Sequence, residues 1–116
     1  MTEAAVSFAG NLTDDPELRH TERGIARAMF RVAVSGRREH EPSFFAVVVW
    51  CDQAEHAAQS LRRGSRVVVV GRLQQRSWTT EDGSARSTVE VVAEELGPSL
   101  RWATAMTTRA TRSSDR

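Results

Sequence analysis

The sequence predicts an all-β domain: a five-stranded barrel with one helix between the third and fourth strands. Three observations predict it. Apolar residues recur at every second position in several runs, the period of a strand whose side chains alternate between two faces. Helical spacing is convincing only once, over Asp52 to Arg63. Ser65 to Glu95 (SRVVVVGRLQQRSWTTEDGSARSTVEVVAEE) reads as two long strands joined by a Glu-Asp-Gly turn, an extended hairpin.

At 116 residues the chain suits one domain with a single core. That domain is expected over 1–105, followed by a polar tail over 106–116 (MTTRATRSSDR) with no apolar pattern, expected to be disordered. Hydrophobic content of 40% and charged content of 27% are ordinary for a soluble protein, and no apolar run approaches the roughly 18 residues of a membrane span. The N-terminus has no cationic region before its short apolar run and no signal-peptide pattern, so a cytoplasmic location is expected. A formal net charge of +1 does not by itself indicate a polyanionic partner, so the local placement of charge has to carry that argument. All 16 basic residues are arginine, as a high-GC coding bias would produce. Cys51 is the single cysteine, which excludes an internal disulfide and a cysteine-based zinc cluster.

Along the chain, Ala4 to Leu12 is the first strand, with Val6 and Phe8 alternating and a bend expected at Gly10. Turns at Asp14 to Leu18 and Thr21 to Gly24 flank a short extended piece at Leu18 to His20. Ile25 to Ser35 is the second strand: Phe30, Val32 and Val34 face the core, and Arg27, Met29, Arg31 and Ala33 face away. A polar loop, Gly36 to Ser43, carries Arg37 and Arg38. Ser43 to Trp50 is the third strand and is apolar on both faces, so either both faces are buried or Phe44 and Trp50 form an exposed aromatic platform.

The helix is expected to begin with Asp52 as N-cap, with Glu55 completing a capping box and Gly64 as its C′ residue. Arg62 and Arg63 would complement the negative end of its dipole. Ala54, Ala57, Ala58 and Leu61 make a slim apolar stripe fit to plug a barrel's end. On the first hairpin strand Val67, Val69, Gly71 and Leu73 point one way, while Val68, Val70, Arg72, Gln74, Arg76 and Trp78 point the other. A tryptophan sharing a strand face with two arginines suits stacking on bases beside phosphates. Leu100 to Ala105 is a candidate extra C-terminal strand. Three strands, a helix and two long strands is the order of an oligonucleotide/oligosaccharide-binding (OB) barrel.

Several segments, in order, resemble the bacterial single-stranded DNA-binding proteins. Gly10 to Gly24 (GNLTDDPELRHTERG) resembles the family's first-strand and turn motif, and Phe44 to Glu55 (FFAVVVWCDQAE) its third strand running into the helix. Leu61 to Trp78 (LRRGSRVVVVGRLQQRSW) is similar to its L-x-K-G-S-x-V-x-V-x-G-x-L-x-x-R-x-W signature. The resemblance implies non-enzymatic, sequence-independent binding of single-stranded DNA, in replication, recombination, repair or chromosome segregation, by a nucleoid-associated homotetramer. By position, base stacking would fall on Phe44, Trp50 and Trp78, and phosphate contacts on Arg31, Arg37, Arg38, Arg72 and Arg76. Arg37 or Arg38 stands where many members carry another aromatic. LGPSLRWATA (Leu96 to Ala105) resembles an actinobacterial extension that clamps neighbouring subunits, which places Trp102 at a subunit interface, with Cys51 a further candidate there. The sequence ends at TRSSDR rather than in the family's acidic tip, so it resembles a short paralogue that coats DNA without recruiting repair enzymes through such a tail.

Other chemistries are weaker. The three histidines are scattered and give no metal-ligand spacing, so neither metal nor cofactor is expected. Asp14, Asp15 and Glu17 would be the acids of a nuclease, but turn capping explains them better. The competing non-enzymatic reading is an OB-fold protein-interaction subunit, primosome-like, with weak nucleic-acid affinity.

Overall fold

The computed structural model describes residues 3–36 and 41–111. Their elements run β1 (Ala5–Leu12), β2 (Glu17–His20), β3 (Ala26–Val34), β4 (Ser43–Trp50), α1 (Cys51–Ser60), β5 (Arg66–Thr79) and β6 (Ala85–Pro98). Five strands form a closed ring in the order β1-β5-β6-β4-β3, and β3 pairs back onto β1 through Asn11↔Ala33 and Leu12↔Val32. This is the predicted OB-type barrel with its helix between the third and fourth strands of the ring. Closure removes free sheet edges, which in an open sheet would invite pairing with other chains. The sixth strand, β2, lies on the outer edge of β3. It is the short extended piece of the sequence reading, so the extra strand sits early in the chain. Leu100 to Ala105 forms no strand within the single chain.

The inward residues follow the alternation. Phe30 and Val32 of β3, Val47 and Val49 of β4, Val67 and Val69 of β5 and Val91 and Ala93 of β6 are buried in one cluster with Leu12. Phe8 and Phe45 stack against it with ring centroids 4.9 Å apart. Ala54 and Ala57 of α1, with Leu61 just beyond, complete the cluster, so the slim helical stripe does plug the barrel. Gly10, where a bend was expected, still pairs with Val67 of β5 and immediately precedes Asn11, which pairs with both Arg66 of β5 and Ala33 of β3. A Cβ there would run into the Ala33 carbonyl oxygen and lie 2.8 Å from Val32 Cγ1, and the close approach admits only glycine.

The helix termini differ from expectation. Cys51 opens α1 in the left-handed region, at φ 63, turning strand into helix within one residue, so the N-cap is Trp50 and Asp52 falls inside the first turn. There its charge still complements the positive end of the dipole. Leu61 is the C-cap in an extended conformation, which places Arg62, Arg63 and Gly64 beyond the helix. Gly64, at φ 89, instead serves the turn in which Ser65 N–H donates to Arg62 O at 2.9 Å. Cys51 is exposed.

β5 and β6 pair along their whole length and outrun the barrel. β1 reaches along β5 only as far as Arg72, and β4 meets β6 only at Val47↔Val91 and Val48↔Val92. Beyond these points Leu73–Thr79 and Ala85–Val89 project as a two-stranded arm. Leu73, placed by alternation on the face of Val67 and Val69, is exposed for that reason: its face continues, but the core does not. At the tip, Asp82 accepts from the Thr80 hydroxyl and, at 3.0 Å, from Ser84 N–H. These bonds, that from Thr80 first, hold its carboxyl below the usual carboxylate range. A carboxyl depressed in the folded state stabilises the turn above its unfolded-state pKa, and that contribution is lost as pH falls through the folded value. Carboxyl-detected NMR should therefore find the Asp82 midpoint below about 3.9.

Candidate nucleic-acid interface

The outward faces of β3, β4, β6 and β5 lie side by side, and their registers form cross-strand rows. Met29, Val48, Val92 and Arg72 make one row across all four strands. Val48 and Val92 are buried although neither belongs to the core cluster, so this row is a tight floor on the outside of the barrel. Arg27 and Trp50 are paired to one side of it, and Arg31↔Ala46 and Ala33↔Phe44 to the other.

Aromatic side chains stand proud of that floor. Phe44 is 56% exposed, Trp78 43% and Trp50 39%, the last directly beside the fully buried Val49. The third predicted strand therefore resolves into an inner face (Val47 and Val49 buried, Phe45 partly so) and an outer face whose two ends are open. Six residue steps along the strand take Phe44 to Trp50, about 20 Å at the usual rise. Each tryptophan carries a guanidinium: Arg27 Cζ lies 5.7 Å from the Trp50 ring centroid and Arg76 Cζ 5.1 Å from that of Trp78. Such pairs are cation–π contacts that keep the arginine beside the ring. Arg86 lies directly across from Trp78 on the arm.

Of the predicted phosphate contacts, Arg31, Arg72 and Arg76 share the outward face with the aromatics, whereas Arg37 and Arg38 lie outside the described residues. Arg72 Nη1 is 3.9 Å from Glu94 Oε2, and Arg76 Nε is 3.6 Å from Glu90 Oε2. Arg27, Glu90 and Glu94 are additions to the predicted set. Arg27 was legible, since alternation already put it on the face of Arg31. The glutamates were not, because nothing in one strand's sequence reveals its neighbour across a ladder.

Trp102 lies at the other end of β5. It is 71% exposed and sits between Arg66 and Arg101, whose Cζ atoms are 4.7 and 4.8 Å from its centroid. Arg66, Val68 and Val70 share the outward face of β5 there, and both valines are exposed. The Asp14, Asp15 and Glu17 cluster is engaged locally. Asp14 accepts from Thr13, Asp15 Oδ1 accepts the Arg63 N–H at 2.8 Å, and Glu17 pairs with Arg19 at 2.8 Å. Among the described residues there is no group of three metal-ligating side chains, and no helix is long and apolar enough to cross a membrane.

Comparison with known proteins agrees with this geometry. The chain is 46% identical over 120 residues to the single-stranded DNA-binding protein of Mycolicibacterium smegmatis, covering 96% of this chain and 73% of that one. Identity to the protein of the same name from Mycobacterium tuberculosis is 44%, with the same coverage. It is also 44% to that of Bifidobacterium longum, over 92% of this chain and 53% of the relative. With residues 4–99 matching its sequence model as well, the chain belongs to the Single-strand binding protein family.

Proposed function

We propose that this chain binds single-stranded DNA without sequence preference and without catalysing a reaction. Bases stack on Phe44, Trp50 and Trp78, and phosphates meet Arg31, Arg72 and Arg76, together with Arg37 and Arg38. The observation that carries this reading is the pair of half-exposed tryptophans, one on the outer barrel face and one on the arm that continues it, each beside an arginine. An aromatic ring stacks on any base, and a guanidinium meets the phosphate between bases, so the combination is tolerant of sequence and sensitive to salt. The names of its relatives point to the same ligand. Coating of this kind serves replication, recombination, repair or chromosome segregation.

The test is a fluorescence titration with oligo(dT), RNA and duplex DNA at two salt concentrations. Quenching by oligo(dT), with affinity falling as salt rises, is the expected result. Absence of salt-dependent binding would return the chain to the reading of a protein-interaction subunit. Equal affinity for RNA would remove the DNA preference, since stacking alone does not read the 2′-OH.

The chain assembles, on this reading, as a homotetramer. Val68, Val70 and Trp102 leave apolar and aromatic surface open on the base of β5, away from the aromatic track. Sedimentation equilibrium should return the mass of four chains. Cys51 is exposed and available to a second copy, but a reduced thiol is expected, with only monomer on a non-reducing gel after exposure to air.

A further inference from the structure

Glu90 is the one buried charged side chain among the described residues, and it faces outward, not into the core. It stands on β6 where the arm leaves the barrel, opposite Gln74 and two residues before Val92 in the outer floor. Its side chain is only 9% exposed, against 52% for Arg76, whose Nε lies 3.6 Å from Glu90 Oε2. The same guanidinium rests on Trp78, at 5.1 Å from the ring centroid. Arg76 is thus tied at two points, to a carboxylate below and a ring beside it.

A carboxylate in the middle of a surface that receives phosphates is unfavourable unless it has another task. Removed from solvent, it keeps its cation more firmly than an exposed glutamate would, since water screens it less. Drawing Arg76 away would leave a buried charge without its partner, which is costly. The Arg72–Glu94 pair at 3.9 Å is different: both side chains are open to water, and such pairs hold weakly.

We propose that Glu90 is a positioning residue that restrains Arg76 against Trp78, so that single-stranded DNA binds more weakly than the arginines alone would allow. Binding of a strand exchanges the Glu90–Arg76 pair for an Arg76–phosphate contact. The exchange leaves an affinity low enough for the strand to be released again. This rests on the single-stranded DNA reading above and assigns its internal brake.

The test is a double-mutant cycle on the full chain with oligo(dT), read by fluorescence at two salt concentrations, with melting curves for each variant. Glu90→Gln, nearly isosteric, should tighten binding about three- to tenfold at low salt, and the gain should shrink as salt rises. In an Arg76→Gln background the same change should give no gain, because the restrained group is gone. A gain that persists there would overturn the proposal in favour of direct repulsion of phosphate by Glu90. Unchanged or weaker binding by a normally melting Glu90→Gln protein would overturn it outright. If Glu90→Gln does not fold, Glu90→Asp, which withdraws the carboxylate by one methylene, should give a smaller gain in the same direction, and no gain would again overturn it. Failure of the unaltered protein to bind oligo(dT) would remove the single-stranded DNA reading itself, whereas binding without any effect at Glu90 removes only the brake.

Discussion

Trp78→Ala is expected to weaken oligo(dT) binding by about tenfold or more at fixed salt, within the 1–3 kcal/mol that a base–aromatic stack contributes. The ring projects from the arm with Arg76 on it and Arg86 across the ladder, so its loss removes a platform and leaves both cations in place. The salt dependence should therefore stay nearly unchanged while affinity falls, which separates stacking from charge. Since the side chain is half-exposed and outside the core cluster, melting should move little. Trp78→Phe keeps a ring and should recover most of the loss. Unchanged affinity in the alanine variant, with tryptophan fluorescence unquenched in the parent, would remove Trp78 from the interface.

The second large effect concerns stability. In Gly71→Ala the new Cβ would run into the Val92 carbonyl oxygen and lie 3.0 Å from its carbonyl carbon and 3.1 Å from Ala93 Cα. These are backbone atoms of a buried ladder with no side-chain freedom to yield, so β6 itself must shift. Overpacking of this kind costs about 1–3 kcal/mol. For a small domain that is a fall in Tm of about 4–8 °C per kcal/mol, read at one protein concentration because assembly would add to stability. The same shift would disturb Arg72, which is paired with Val92 on the outer floor, so DNA binding should weaken with stability. An unchanged melting temperature would mean that the two strands are farther apart than the structure has them.

Several features of the fold were legible residue by residue. Alternation assigned Phe30, Val32, Val67 and Val69 to the core and sent Arg31, Arg72, Arg76 and Trp78 outward, because a strand's side-chain period is strictly two and needs no knowledge of neighbours. Gly10 stood out for a similar reason: a residue without Cβ in an apolar strand signals a bend or a close approach. Leu73 shows where the rule stops, since alternation gives a face but not whether anything packs on it.

The cap positions show another limit. Asp52 and Glu55 carry the pattern of a capping box, yet Trp50 and Cys51 turn the corner first, a choice made by the angle at which β4 must hand the chain to the barrel's end. Likewise the long hairpin hides an irregularity. Val70 pairs with Glu95 and Gly71 with Ala93, so Glu94 is an extra residue that reverses the facing of β6 and lets Val91, Ala93 and Leu96 all serve the core.

By itself, then, the sequence determined the strand faces, the single plugging helix, the element order and the aromatic and arginine residues turned outward, all of them consequences of local periodicity and chain order. Tertiary structure alone decided that Trp50 and Phe44 are exposed instead of core, that β2 and not the C-terminal segment supplies the extra strand, and that Glu90 lies beneath Arg76. Those outcomes depend on which strands lie side by side and where pairing ends, and cross-strand register is a property of two segments together, invisible in either one.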